Sequence, residues 1–376
     1  MRVVIAAART GGHINPGIAI ANKIKQEEKD SKIMFIGTTE GLENDLVPRA
    51  GYELKTIEAY GFNRKITIKN IRNIIKTLKS KKTARKILEE FKPDVVIGTG
   101  GYICVPVIMA ANSLKIPTVL HESNAFPGAS VKVLSRKVNK VFVGFSDAKT
   151  RLAQAKEVVI TGTPTKINKI DLSKDQKNKI MKELDLNDNL PIVLVFGGSQ
   201  GAKSINETML EIIKKKANEK YQIIWAAGQG QYDAIKEKLQ DEGNAIQNIM
   251  NTKIVPYIYN MEEIMNMCDM VVSRSGAMTI TEVAKVGKPG IFIPLPYATE
   301  NHQEYNAKVL ANIGAAKIIL DKDLNAGLLS KEIEDILYTE GKKEAMGEKA
   351  RKIEVENVED KIYAEIKKSL KQHKDM

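Results

Sequence analysis

Between Asp269 and Gln303 the chain sets out residue types suited to a phosphorylated, hydroxyl-bearing ligand. Met270-Val271-Val272 reads as an apolar strand, Ser275-Gly276 as the turn at its end, and Thr279, Thr281 and Glu282 as the opening of a helix. The N–H groups of residues 276 to 278 then stand at a helix N-terminus, where donors without an intrahelical partner and the positive dipole end favour phosphate. A carboxylate one turn further in, Glu282, repels phosphate and instead suits a vicinal diol such as a ribose. Strand, glycine turn, phosphate and ribose acid together read as a nucleotide site.

Four further clusters carry chemistry. Thr10-Gly11-Gly12-His13-Ile14-Asn15-Pro16-Gly17 follows a strand and precedes a helix expected over Ile18 to Ile24. Its glycines let backbone approach an anion, and His13 brings a group that titrates near neutrality. Gly98-Thr99-Gly100-Gly101-Tyr102 ends another apolar strand, so two glycine loops at one end of one sheet could hold two phosphates. His121-Glu122-Ser123-Asn124 falls at a strand's carboxyl end, where open parallel sheets bind ligands, although a buried His–Glu hydrogen-bond network accounts for the pair equally well. Asn301-His302-Gln303-Glu304-Tyr305-Asn306 offers amides and an imidazole, the donor and acceptor mixture that sugar hydroxyls require, or an ordinary helix start. No G-x-G-x-x-G and no Walker A sequence is present, which disfavours nicotinamide oxidoreduction and phosphoryl transfer from ATP.

The elements that must position these groups are strands alternating with helices, the pattern of parallel sheets with crossover helices. Strands are expected at Val3 to Ala7, Lys32 to Ile36, Val95 to Ile97, Thr118 to Leu120, Lys140 to Val143 and Val158 to Thr161. A second series follows at Ile192 to Phe196, Gln222 to Ala226, Lys253 to Val255, Met270 to Ser273, Gly290 to Ile293 and Ala316 to Ile319. Each series opens with a strand, a glycine turn and a helix, the second turn being Gly197-Gly198-Ser199-Gln200-Gly201. Two similar domains follow, as 376 residues also imply, divided near Pro164. The last helix, with Val358, Ile362, Ile366 and Leu370 on one stripe, should dock on a domain.

Hydrophobic content of 43% and charged content of 28% are those of a globular chain. The N-terminus runs straight into a strand without a signal-peptide pattern, and no segment is apolar for the roughly 18 residues of a spanning helix, so a cytosolic chain is expected. Cys104 and Cys268 are far apart among apolar neighbours, which suits reduced structural thiols. A net charge of +12 calls for an acidic partner. Much of it lies between Arg64 and Lys92, where Lys69, Arg72, Lys76 and Lys79 accompany Ile71, Ile75 and Leu78 at helical spacing. This is the basic amphipathic helix of a membrane-surface protein, or a core-packing helix with a solvated face. Nucleic acid is disfavoured, because Phe91 is the only aromatic there to stack a base.

Taken together, TGGHINPG at 10 to 17, GTGGY at 98 to 102, HESNAFPG at 121 to 128, TGTP at 161 to 164, GGSQGAKSIN at 197 to 206, SRSGAMTITE at 273 to 282 and NHQEYNA at 301 to 307 resemble a known family over nearly the whole chain. It is the family of bacterial N-acetylglucosaminyltransferases that complete lipid II. The resemblance implies the α/β GT-B fold, two Rossmann-like domains facing across a cleft. Residues 1 to 163, joined by a C-terminal helix at about 350 to 372, would take the acceptor and associate with the membrane, and residues 164 to 349 would bind UDP-N-acetylglucosamine. It implies Glu282 on the ribose, Ile258 and Ala277 near the uracil, Met278 and Thr279 near the diphosphate, Ser199 on phosphate, and Asn124 and Gln303 on the sugar. Thr10, Gly11 and Gly12 would line the cleft opposite, with Gly11, Gly12, Gly100, Gly101 and Tyr102 about the acceptor diphosphate. Two departures stand out: Ala8-Arg9 where the family usually writes Gly-Gly, and Lys166 in place of a donor-contacting arginine.

The implied reaction joins the muramoyl hydroxyl of lipid I to the anomeric carbon of UDP-N-acetylglucosamine, with inversion to a β-1,4 linkage, at the inner face of the cell membrane. His13 is the candidate base and Glu122 the runner-up, while the helix N-terminus at Gly276 to Met278, with Arg274 nearby, would stabilise the leaving UDP. Neither a metal nor a cofactor is expected. Rival readings are another GT-B glycosyltransferase, a nucleic-acid-binding protein, and a non-catalytic membrane scaffold.

Overall fold

The computed structural model describes residues 1–60, 68–198, 200–241 and 249–374, and everything below concerns these. The chain separates into two compact units, Met1–Thr165 with Val355–Met376, and Lys166–Glu354. The first is a parallel sheet of β1 (Arg2–Ala7), β2 (Lys32–Gly37), β3 (Glu53–Thr56), β4 (Val95–Gly100), β5 (Thr118–Glu122), β6 (Lys140–Val143) and β7 (Val158–Ile160). Its order is β3-β2-β1-β4-β5-β6-β7. The second holds β8 (Ile192–Phe196), β9 (Gln222–Ala226), β10 (Thr252–Val255), β11 (Met270–Ser273), β12 (Gly290–Phe292) and β13 (Ala316–Ile318), ordered β10-β9-β8-β11-β12-β13.

Both faces of the first sheet are buried, and alternation along β1 divides its side chains between them. Val4 and Ala6 join the core that holds the helix Cys104–Ser113, and Val3, Ile5 and Ala7 join the core that holds the helix Gly11–Glu27. The final helix, Val358–Lys374, packs on Gly11–Glu27 through Val358, Ile362 and Ile366. Glu28 fastens it, accepting from the Lys367 ammonium at 2.7 Å, the Tyr363 hydroxyl at 2.9 Å and the N-terminal ammonium at 2.6 Å. Burial opposes ionisation of Glu28, but these donors outweigh it and hold its pKa down to about 2.

The basic segment is helical over Ile68–Phe91, within a range whose residues 61–67 lie outside the description, as do the side chains of Lys69, Ile71 and Leu78. Its later part packs inward through Ala84 and Leu88, while Arg72, Ile75, Lys76 and Lys79 are exposed. Among the described residues no helix is long and apolar enough to cross a membrane.

Candidate functional site

In the first unit β1 and β4 are neighbours whose crossover helices lie on opposite faces, so a crevice opens at their carboxyl ends. The helix after β1 begins at Gly11, seven residues before the expected Ile18, because extended Thr10 serves as the cap and Gly11 and Gly12 form the first turn. Pro16 falls early enough to leave most of the helix ladder intact. No acidic residue occupies that first turn, so its N–H groups and dipole end face the crevice without a competing charge.

His13 is held from several directions. Its Nδ1 lies 3.1 Å from the Ala8 carbonyl and 3.3 Å from the Thr10 hydroxyl. A carbonyl only accepts, so in that bond Nδ1 carries the proton and the lone pair resides on Nε2. Thr99 donates its hydroxyl to the His13 carbonyl at 2.8 Å from a bulge, where β1 shifts register between Gly98 and Gly100. Gly100 has φ +123°, and a Cβ there would stand 2.3 Å from His13 Cδ2. Only glycine permits the imidazole to lie so close to that strand end. Gly101 and Tyr102 continue the same rim.

Arg9 occupies the left-handed region at φ 75°, in one of the places where the resembled family has glycine. Its N–H donates to Glu43 at 2.8 Å, and its guanidinium donates to the Tyr102 hydroxyl at 2.7 Å. The buried Glu43 carboxylate also accepts from the Thr38 N–H at 2.9 Å and hydroxyl at 2.5 Å, which locks the loop after β2 to the loop after β1. Sequence reading missed Glu43, since two of its three donors are backbone N–H groups and a threonine five residues earlier marks no motif.

At the end of β5 the His121 ring is fully buried and bonded to the Gly162 carbonyl at 3.1 Å. Burial pushes its pKa down to about 4, so it is neutral at pH 7. Glu122 accepts from the Asn124 backbone N–H at 2.8 Å, the Asn124 amide at 2.9 Å and the Gly128 N–H at 2.8 Å. Its carboxylate thus shapes the 123–128 loop and orients Asn124.

The second unit repeats the plan. β8 and β11 are neighbours at its switch point, each followed by a glycine turn and a helix. After β8, Gly201 at φ +76° packs so tightly on the end of β9 that a Cβ would lie 2.2 Å from the Ala227 carbonyl. Asn206 braces this turn by donating to Ala227 O at 2.8 Å and to Gln231 at 2.9 Å while accepting from the Trp225 indole at 3.0 Å. Ser199 lies outside the described residues. After β11, the helix Ala277–Val286 starts at Gly276 with no side-chain cap and no acid in its first turn. Met278, Thr279 and Glu282 form one half-buried stripe at three- and four-residue spacing, while Ala277, Ile280 and Val283 face the core.

Gln303 is tied to this helix start, because Ser275 donates its hydroxyl to the Gln303 carbonyl at 2.8 Å. The Gln303 side-chain oxygen accepts from the Leu295 N–H at 3.0 Å, so its amide N–H groups point elsewhere as donors. Its helix is entered through Glu300 and Asn301, both left-handed at φ 57° and 54°, a strained approach of the kind that accumulates at functional sites. Ile258 is buried between exposed Tyr257 and Tyr259, in a loop leading to the helix Met261–Met267 that packs on Ala277–Val286. Lys166 is exposed at the head of the second unit.

Arg274 is bonded to several elements of the second unit. Its guanidinium donates to Asp321 at 2.5 Å, the Ile293 and Pro294 carbonyls at 3.1 and 3.3 Å, and the Ser204 hydroxyl at 2.9 Å. Those acceptors make it a clamp on the ends of β11 to β13. Among the described residues no group of three or more His, Cys, Asp or Glu could hold a metal ion.

Two parallel-sheet units, each with a glycine turn and helix start at its switch point, define the GT-B class of glycosyltransferases. The chain belongs to glycosyltransferase family 28, whose N-terminal domain matches residues 3–143 and whose C-terminal domain matches residues 192–362. It is 41% identical over 372 residues, 99% of each chain, to the UDP-N-acetylglucosamine--N-acetylmuramyl-(pentapeptide) pyrophosphoryl-undecaprenol N-acetylglucosamine transferase of Acetivibrio thermocellus. The transferase of the same name from a Thermoanaerobacter species is 43% identical, covering 98% of this chain and 99% of its own. The crystal structure of Acinetobacter baumannii MurG superposes with a TM-score of 0.77 at 30% identity, covering 98% of this chain and 99% of that one.

Proposed function

We infer that this chain transfers N-acetylglucosamine from UDP-N-acetylglucosamine to the muramoyl sugar of lipid I, inverting the donor's α bond to the β-1,4 linkage of lipid II in peptidoglycan synthesis. The observation that carries this reading is identity of 41% and 43% over nearly full length with transferases named for that reaction.

In this reading the acceptor hydroxyl gives its proton to His13 Nε2 as its oxygen attacks the anomeric carbon and the bond to UDP breaks. The hydrogen bond from Nδ1 to Ala8 supports the choice, because it fixes the tautomer a base requires. Glu122 is the weaker candidate, since its carboxylate oxygens are already engaged by three N–H donors of the 124–128 loop. The Gly11 and Gly12 N–H groups, with Gly100, Gly101 and Tyr102, hold the acceptor diphosphate. Arg9, bonded to Tyr102, adds a cation at that rim. The helix start at Gly276 receives the UDP phosphates through Met278 and Thr279, joined by Ser199 and Lys166. Glu282 takes the ribose hydroxyls, Ile258 and Ala277 flank the uracil, and Asn124 and Gln303 read the sugar.

A lipid-linked acceptor confines this chemistry to a membrane surface, and the chain is peripheral on the inner face in this reading. Exposed Arg72, Lys76 and Lys79 around exposed Ile75 support an anionic leaflet as the partner. The test is UDP release from UDP-N-acetylglucosamine with and without lipid I: release that depends on the acceptor supports the reading, and release indifferent to it refutes it.

A further inference from the structure

At the end of the helix Ala277–Val286 remote from Gly276, a surface cavity of about 240 Å³ is lined by four cations, Lys169, Lys177, Lys288 and Arg351, and one carboxylate, Asp171. Among the described residues none of the four cations has a carboxylate within ion-pair distance, whereas neighbouring Lys343 is paired with Asp269 at 2.7 Å. The Lys288 ammonium is mostly buried and donates to the Asn266 carbonyl at 2.8 Å. Burial pushes its pKa below the usual lysine value and outweighs the opposition of Cys268 and Asp269, with cationic Lys343 and Lys177 adding smaller pushes the same way. Part of this cationic charge answers the negative end of the helix, but that end amounts to only about half an elementary charge. The excess remains positive.

The position adds a second observation. The chain passes from one unit to the other at Thr165–Lys166 and returns at Glu354–Val355. Lys169 stands three residues after the first passage and Arg351 three residues before the second, and both line the cavity. Arg351 is seated against Gly287, where a Cβ would lie 2.5 Å from its Nη1.

We propose that this cavity binds a small phosphorylated anion of about diphosphate size, and that the occupant ties together the two segments by which the chain enters and leaves the second unit. Three lysines supply point charges and Arg351 a planar fork, a donor set that matches phosphate oxygens. Such an occupant would also relieve the charge crowding at Lys288. The site is separate from the helix start at Gly276, so it would fill while a nucleotide occupies that start.

The experiment is equilibrium dialysis of labelled inorganic pyrophosphate against the full chain in saturating UDP, comparing wild type with a Lys177→Gln/Arg351→Gln double variant and with Asp171→Asn. The wild type should bind one more equivalent than the double variant, or bind that equivalent at least tenfold more tightly, and Asp171→Asn should bind more tightly than wild type. UDP affinity of the double variant reports that it is folded; if it is not, the Asp171→Asn comparison decides. In wild type alone, pyrophosphate should also slow amide hydrogen exchange over residues 166–172 and 349–354. Equal stoichiometry and affinity in all three proteins, or exchange unchanged at both segments, would overturn the proposal.

Discussion

Gly100→Ala adds one carbon where the first unit has no room for it. The new Cβ would stand 2.3 Å from His13 Cδ2 and 2.9 Å from its Cγ and Nε2, at a φ of +123°. Carbon atoms rest about 3.5 Å apart, so the ring must withdraw by about 1.2 Å, the difference between 3.5 and 2.3 Å, or the strand end must yield. Holding alanine at that φ costs about 1–3 kcal/mol, and residual overpacking costs a similar amount. Displacing a catalytic base by roughly 1 Å reduces turnover on the order of a hundredfold. Gly100 belongs to the first unit and the proposed UDP contacts to the second, so kcat should fall while the Kd for UDP holds. The assay is initial-rate UDP release on a short-chain, water-soluble acceptor, with Tm and UDP titration alongside. Gly51→Ala is the control, because it meets nothing within 4 Å at φ +82° and should lower Tm without touching kcat. A folded Gly100→Ala protein with the wild-type kcat would refute the placement of His13 as base.

Further outcomes follow from the same geometry. Glu282→Ala should weaken UDP by about 1.5–3 kcal/mol, roughly ten- to a hundredfold by calorimetry, and the gap from wild type should close with 2′,3′-dideoxy-UDP. Arg274→Gln should lower Tm by removing charged hydrogen bonds to Asp321 and two carbonyls, with UDP affinity nearly kept; a large affinity loss at constant Tm would return Arg274 to the donor site. Glu28 has a folded pKa near 2 against 4.5 unperturbed, so its contribution is complete above about 4.5 and disappears as pH falls toward 2. Glu28→Gln should therefore be less stable than wild type at pH 7, and urea titrations of the two should converge in strong acid. Replacing Lys69, Arg72, Lys76 and Lys79 with glutamine should abolish salt-sensitive binding to anionic vesicles and spare activity on the water-soluble acceptor.

Apolar runs located every strand except β3, and β3 escaped because Glu53-Leu54-Lys55-Thr56 is a short, mostly exposed edge strand without an apolar signature. The glycine clusters were legible because turns at switch points demand residue types that little else requires. What the glycines accommodate was not. That Gly100 exists to admit the His13 ring depends on β1 and β4 being adjacent, a contact between residues 87 positions apart. Glu43 and Asp321 were invisible for the same reason: a carboxylate that locks a loop or captures an arginine carries no local pattern. Arg274 drew attention from its place beside a glycine turn and helix start, while its partners on three other elements became apparent only in three dimensions.

The central claim is an inverting transfer to the 4-hydroxyl of the acceptor's muramoyl sugar. Its most direct test is the NMR anomeric configuration and linkage position of the product formed from UDP-N-acetylglucosamine and a lipid I analogue, with His13→Ala run in parallel. A single β-1,4-linked disaccharide should form, at a rate at least roughly a hundredfold lower for the variant. An α-linked product, a different hydroxyl, or no transfer by the wild-type chain would contradict the claim.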